Sequence, residues 1–237
     1  MARSATFDFD ETVTIVTGAT GTLGGAVAER FREAGSTVCG IDVAEPEEPD
    51  GTFAQERTNF YQADLTDEGD VERVVAEIVD EHGRLDHLLN VAGTWRGGQP
   101  IEETDRTEYD LVMDVNLKTA FLASKHALPE LQAAGGAIVS VSARSSLEGG
   151  EGDGPYRISK AGIRLLTETL AAENRGTVRA NCVMPSVIDT PANREMMPDA
   201  DQDSWVDPVD IAAVFAFLCS DASLVTSGAA VPVYGET

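Results

Sequence analysis

Lysine is almost missing from these 237 residues, occurring only as Lys118, Lys125 and Lys160. Basic residues number 17 against 41 acidic ones, a formal charge of −24. A chain without a basic face is poorly suited to phosphate-rich partners, so nucleic acid and anionic membranes are not expected among its ligands. Cysteine is as scarce: Cys39, Cys182 and Cys219 all lie in apolar runs without metal-like spacing, which reads as reduced core thiols, no disulfide and no metal site. The three histidines, His82, His87 and His126, are scattered and receive no metal or catalytic role. No apolar stretch approaches the roughly 18 residues of a membrane span, and no apolar leader follows the early arginine, so a soluble, cytoplasmic protein is expected.

What the sequence does have is alternation. Short apolar runs bounded by turn residues take turns with helical patterns, the signature of repeated βα units in an α/β fold with a parallel sheet. The pattern predicts strands near 12–17, 36–42, 58–63, 86–91, 136–142, 177–184 and 229–234, and helices near 22–34, 67–82, 105–133, 156–174 and 208–219. No repeat or linker divides the chain, so residues 1–237 are read as one domain. "AEPEEPDG" (44–51) and "LEGGEGDGP" (147–155) read as loops, and 189–205 breaks the strand rhythm as a segment able to cover a ligand.

"TVTIVTGATGTLGGAVAERF" is a strand, a glycine turn and an amphipathic helix. Gly18, Gly21 and Gly24 would let backbone approach a pyrophosphate at the positive end of that helix. The next strand ends in Asp42, where an acid that binds the adenosine ribose 2′-hydroxyl belongs. A carboxylate there repels a 2′-phosphate, and no Arg or Lys stands between Arg32 and Arg57, which favours NAD over NADP.

Tyr156 and Lys160, four apart in "YRISK", share one face of a helix. Taken with the glycine turn, "ADL" at 63–65, "NVAG" at 90–93, Asn116 in "DVNLKTAF" and "PSVIDT" at 185–190, they make the chain resemble the short-chain dehydrogenase/reductase family from about residue 12 to 235. The resemblance implies a doubly wound Rossmann sheet of seven strands in the order 3-2-1-4-5-6-7 with helices on both faces. It assigns the cofactor to Gly18, Thr20, Gly21, Leu23, Gly24, Asp42, Asp64, Leu65, Asn90, Ala92, Gly93, Tyr156, Lys160, Ile188 and Thr190, and catalysis to Asn116, Ser142, Tyr156 and Lys160. In the family the tyrosine moves a proton at the substrate oxygen, the lysine supports it and holds the nicotinamide ribose, and the asparagine carries a water.

Two positions depart from the family pattern. The turn reads TGxxGxxG, with Thr22 where TGxxxGxG has glycine. Thirteen positions before Tyr156, where the family's serine stands, is Ala143. Ser142 is the nearest serine and the candidate for its role; the alternative is a strand-end serine bonded to backbone, since neighbours along a strand face opposite ways. Relatives resembling dihydropteridine reductase lack a serine there and still reduce substrate. The chain is therefore read as an NAD(H)-dependent oxidoreductase acting on an alcohol or carbonyl. The alternatives are a serine-less pteridine- or quinonoid-type reductase and a dinucleotide-sensing protein with little turnover. Its partners are expected to be a small-molecule substrate and further copies of itself, as a homotetramer or homodimer, because the helices near 105–133 and 156–174 resemble the family's paired interface helices.

So acidic and lysine-poor a surface resembles that of halophilic proteins from salt-rich cytoplasm, where screening suppresses self-repulsion; an ordinary acidic enzyme is the alternative. In the halophilic case the melting temperature should rise as the Debye length shrinks from about 10 Å at 0.1 M salt to about 3 Å at 1 M. An unchanged melting temperature between those concentrations would count against it.

Overall fold

Seven of the apolar runs become strands because each can be covered on both faces by the helices that separate them. The structure, a computed structural model, describes residues 6–46 and 58–235. The loop expected at 44–51 therefore lies largely outside the described residues. The strands are β1 (Val13–Thr17), β2 (Thr37–Asp42), β3 (Thr58–Gln62), β4 (His87–Asn90), β5 (Ala137–Val141), β6 (Arg179–Pro185) and β7 (Ala230–Val233). All pairings are parallel, in the order β3-β2-β1-β4-β5-β6-β7. The order reverses between β1 and β4, so a crevice opens beyond their C-terminal ends, where ligands bind in open α/β sheets.

One face of the sheet carries α1 (Thr22–Glu33) and α7 (Pro208–Cys219), which pack Val27 and Phe31 against Ile211 and Phe215 in a common core. The other carries α2 (Glu68–His82), α4 (Thr119–Ala134) and α5 (Gly154–Glu173), with Ile78, Leu131 and Leu170 in a second core. Helix α2 starts where the Asp67 side chain accepts from Asp70 N–H and stops at Gly83, whose φ of 76° is the left-handed turn that glycine adopts without a Cβ penalty.

The single helix expected over 105–133 is two helices and a wider turn. α3 (Arg106–Met113) gives way to a π turn at Asp114–Lys118, after which α4 begins. The segment expected to cover a ligand holds a short helix, α6 (Pro191–Met196), capped by the Thr190 hydroxyl. Asp189 N–H donates to Val206 O at 2.8 Å and Arg194 forks onto Asp189, so the segment is tied back to its own base. Among the described residues no helix is long and apolar enough to cross a membrane.

His87 is buried on β4, edge-on to the rings of Phe9 and Phe31 and 3.0 Å from the Thr14 hydroxyl. Burial pushes its pKa down to about 4, more than the neighbouring Asp86 raises it. The unfolded chain titrates this group near 6.5, so it alone takes up a proton between about 6.5 and about 4. Stability should fall across that window, by on the order of 3 kcal/mol from this residue. His87→Gln, less stable than the parent at pH 7, should approach it in urea unfolding near pH 4; a constant gap would refute this account.

Candidate active site

The site begins where β1 runs out. Gly18 has a φ of +65°, and a Cβ there would lie 2.7 Å from the Ala92 backbone. At Gly24 a Cβ would fall 2.0 Å from the Gly18 carbonyl oxygen. These two glycines bring the turn, the start of α1 and the end of β4 closer than any side chain permits. Gly21 precedes α1 without any side-chain cap, so the first N–H groups of the helix stay open toward the crevice. The departure from TGxxxGxG thus leaves both close-contact glycines in place, with Thr22 as the first residue of the helix.

Thr17, which the sequence reading passed over, locks this junction. Its hydroxyl oxygen accepts from Val91 N–H (3.0 Å) and Ala92 N–H (3.1 Å), joining β1 to the segment after β4. The only signal for it was its place directly before the first glycine.

A cavity of about 640 Å³ runs from the glycine turn along the sheet's C-terminal edge. Every predicted cofactor residue except Asn90 lines it: Gly18, Thr20, Gly21, Leu23, Gly24, Asp42, Asp64, Leu65, Ala92, Gly93, Tyr156, Lys160, Ile188 and Thr190. At one end the Asp42 carboxylate accepts from Thr20 N–H (3.0 Å) and the Thr20 hydroxyl (2.6 Å) through one oxygen and from Val43 N–H (2.8 Å) through the other. Asp64 accepts from both the N–H and the hydroxyl of Thr66 and so shapes the loop into α2. Val91, Thr94, Trp95, Val115, Thr119, Val141 and Asn193 line the cavity too.

Three predicted residues stand behind the wall. Asn90 donates to the hydroxyls of Ser124 and Ser140, both at 3.2 Å, and fastens β4 to α4 and β5. Asn116, fully buried on the π turn, accepts from Thr94 N–H (2.7 Å) and donates to Thr94 O (2.9 Å) and the Ser159 hydroxyl (3.0 Å). Ser142 donates its proton to the Lys160 carbonyl oxygen (2.8 Å), and its hydroxyl oxygen lies 3.2 Å from the Ser146 hydroxyl. This is the backbone-bonded arrangement, and neither Ser142 nor Ala143 lines the cavity.

At the far end Tyr156 and Lys160 project from the first turns of α5. The Lys160 ammonium is buried, donates to Val141 O at 3.0 Å and lies 5.8 Å from the centre of the Tyr156 ring. Burial lowers its pKa to about 8. Burial, and then the Asp153 carboxylate, raise the Tyr156 phenol to about 12. Desolvation is the largest cause of both shifts, and at neutral pH the pair is a phenol beside an ammonium.

A glycine cradle at the sheet's switch point, an acid at the end of β2 and a half-buried tyrosine with a buried lysine share one cavity. The residues fit a dinucleotide: the cradle excludes side chains where a pyrophosphate would lie, and the open helix start offers it N–H groups. A family model described as enoyl-(acyl carrier protein) reductase matches residues 18–235. The chain is 31% identical over 239 residues to meso-2,3-butanediol dehydrogenase of Serratia marcescens, covering 96% of this chain and 94% of that protein. It is 30% identical over 240 residues to the 3-oxoacyl-[acyl-carrier-protein] reductase of Thermotoga maritima, covering 94% and 96%. A solved short-chain dehydrogenase/reductase of the glucose/ribitol dehydrogenase type from Brucella melitensis superposes with a TM-score of 0.90 at 28% identity, over 98% of both chains. The chain belongs to the short-chain dehydrogenase/reductase family, oxidoreductases that use a nicotinamide cofactor.

Proposed function

We propose that the protein is an NAD(H)-dependent dehydrogenase/reductase that interconverts an alcohol and its carbonyl, with Tyr156 as the acid or base. The observation that carries this reading is the shared cavity, with Asp42 at one end and the Tyr156–Lys160 pair at the other. Bound nicotinamide would accept or supply the hydride. Among the described residues no Arg lines the cavity and Lys160 is its one Lys, so nothing near Asp42 offsets its repulsion of a 2′-phosphate. The Tyr156 hydroxyl has no hydrogen-bond partner among the described residues, which leaves it free for a substrate oxygen. In reduction it gives a proton to that oxygen, and in oxidation the phenolate takes one. Lys160, held by Val141 O, stabilises the phenolate, and Asn116 positions the Thr94 segment opposite them.

Ser142 is bonded to the Lys160 carbonyl, and this favours the serine-less version of the chemistry, of which a pteridine- or quinonoid-type reductase is the second reading. The substrate would be a small molecule. Half-exposed Phe121 on α4 and Leu165 on α5, at 50% and 54%, support a homodimer or homotetramer built on that face. A monomer mass by light scattering at every salt concentration would rule out such an assembly.

Fluorescence titration should show tighter binding of NADH than of NADPH, with the difference reduced in Asp42→Ala. Equal affinities in the parent would remove the cofactor assignment. Turnover, found by screening meso-2,3-butanediol, cyclic alcohols, sugars and quinonoid compounds, should fall roughly 10²–10⁴-fold in Tyr156→Phe with NADH binding little changed. Ser142→Ala should cost much less. A fully active Tyr156→Phe enzyme would end the acid–base assignment, and a parent that binds NADH but turns over nothing in the screen would favour the sensor.

A further inference from the structure

Asp153 occupies the position before α5 where an aspartate ordinarily caps the helix, yet its side chain caps nothing. Its carboxylate instead accepts from Arg157 Nε at 2.5 Å, with both side chains largely buried, at 16% and 23% exposure. The same guanidinium donates through Nη1 to Glu148 O (3.1 Å) and Ser145 O (3.4 Å). It lies flat on Gly150, where a Cβ would come within 2.3 Å of its Cζ.

The far end of this loop is just as closely held. Gly98 N–H donates to Gly152 O at 2.6 Å, and a Cβ on Gly97 would sit 2.7 Å from that oxygen and 3.0 Å from the Trp95 indole. Arg157 therefore links the first turn of α5 to the strap 144–153, and Gly152 links that strap to the segment that presents Trp95 to the cavity.

We propose that Arg157 is a positioning residue that neutralises Asp153 beside Tyr156 and straps residues 144–153 to the helix that carries the phenol. The proposal rests on Tyr156 being the acid–base group. Among the described residues Asp153 is the one carboxylate whose charge registers at the phenol, and it acts to keep the proton on. Arg157 offsets that charge through its Nε contact with the carboxylate. Of the charged groups on the other elements against α5, Asp114 pairs with Lys118 on the π turn, Arg106 with Asp110 on α3, Arg179 on β6 donates to the carbonyls of Leu218 and Cys219, Arg144 lies over the Tyr234 ring, and Glu108 is half-buried in the first turn of α3. Glu148 and Glu151 belong to the strap itself and are exposed. The Lys160 ammonium, 5.8 Å from the centre of the Tyr156 ring, is a charge that favours phenolate.

Ultraviolet difference absorbance, each protein read against its own Tyr156→Phe counterpart, isolates the tyrosinate of this residue without any substrate. It is read at the highest pH at which circular dichroism shows every variant folded. Arg157→Leu should lower the tyrosinate signal about threefold and Asp153→Asn should raise it about threefold, a shift of about half a pH unit each way for a partly exposed pair. The double variant should match Asp153→Asn, because no carboxylate is left to expose. Arg157→Lys keeps the charge and should stay near the parent signal although it loses the carbonyl contacts. Should Arg157→Leu not fold, Asp153→Asn and Arg157→Lys still decide. An unchanged signal in Asp153→Asn or Arg157→Leu, or a loss that persists in the double variant, would overturn the proposal. An active Tyr156→Phe enzyme would instead remove the acid–base reading beneath it.

Discussion

The site hangs on one buried carboxamide. Asn116 takes both backbone groups of Thr94 with its side chain and reaches Ser159 on α5 with the remaining N–H. A hydrogen bond of this kind contributes about 1 kcal/mol net, whereas a buried amide left without partners costs about 1–3 kcal/mol. The constraint therefore acts mainly through what happens if any of the three elements moves. It also fixes Gly93, which is pressed so close that a Cβ would lie 3.0 Å from the Asn116 oxygen and 3.2 Å from the Lys160 ammonium. Loop, helix and lysine are set in one operation. The cost is the π turn, whose wider ring weakens the helix where Asn116 turns inward.

The electrostatics of the site run against those of the molecule as a whole. A chain with a charge of −24 places a lysine where, among the described residues, no carboxylate pairs with it; its ammonium donates to Val141 O and lies over the Tyr156 ring. Desolvation then brings its pKa to about 8, close enough to neutrality that modest changes nearby alter its charge. The phenol moves the other way, to about 12, so the protein alone holds the pair in its resting acid form. Whatever brings the tyrosine into the range of a working base must act from within the cavity or by changing the balance between Asp153 and Arg157.

Much of this was legible in the sequence, and the limits have physical causes. The central strands could be read because burial on both faces keeps them mainly apolar, as in β1 and β5, where all five residues are buried. The glycine turn and the Tyr156–Lys160 spacing could be read because each demands particular residue types at fixed intervals. The π turn could not: one extra residue in a helical ring leaves the apolar pattern of 105–133 nearly intact, and an average period of 3.6 hides it. Nor could the pairing of Asp153 with Arg157, since an aspartate just before a helix looks like a cap in sequence whether or not it serves as one.

The shifted serine shows the same limit most sharply. Moving a hydroxyl by one residue along or just past a strand turns it to the opposite face. Ser142, one place before the alanine, consequently meets the Lys160 carbonyl rather than the cavity. Its N–H is also engaged, donating to Val183 O at 2.9 Å, so the residue continues the sheet's ladder while its side chain grips α5. The lysine is thereby held from both sides of the same wall, through its carbonyl by Ser142 and through its ammonium by Val141 O. A serine that would act on substrate in one register acts in the other on the residue that supports the tyrosine.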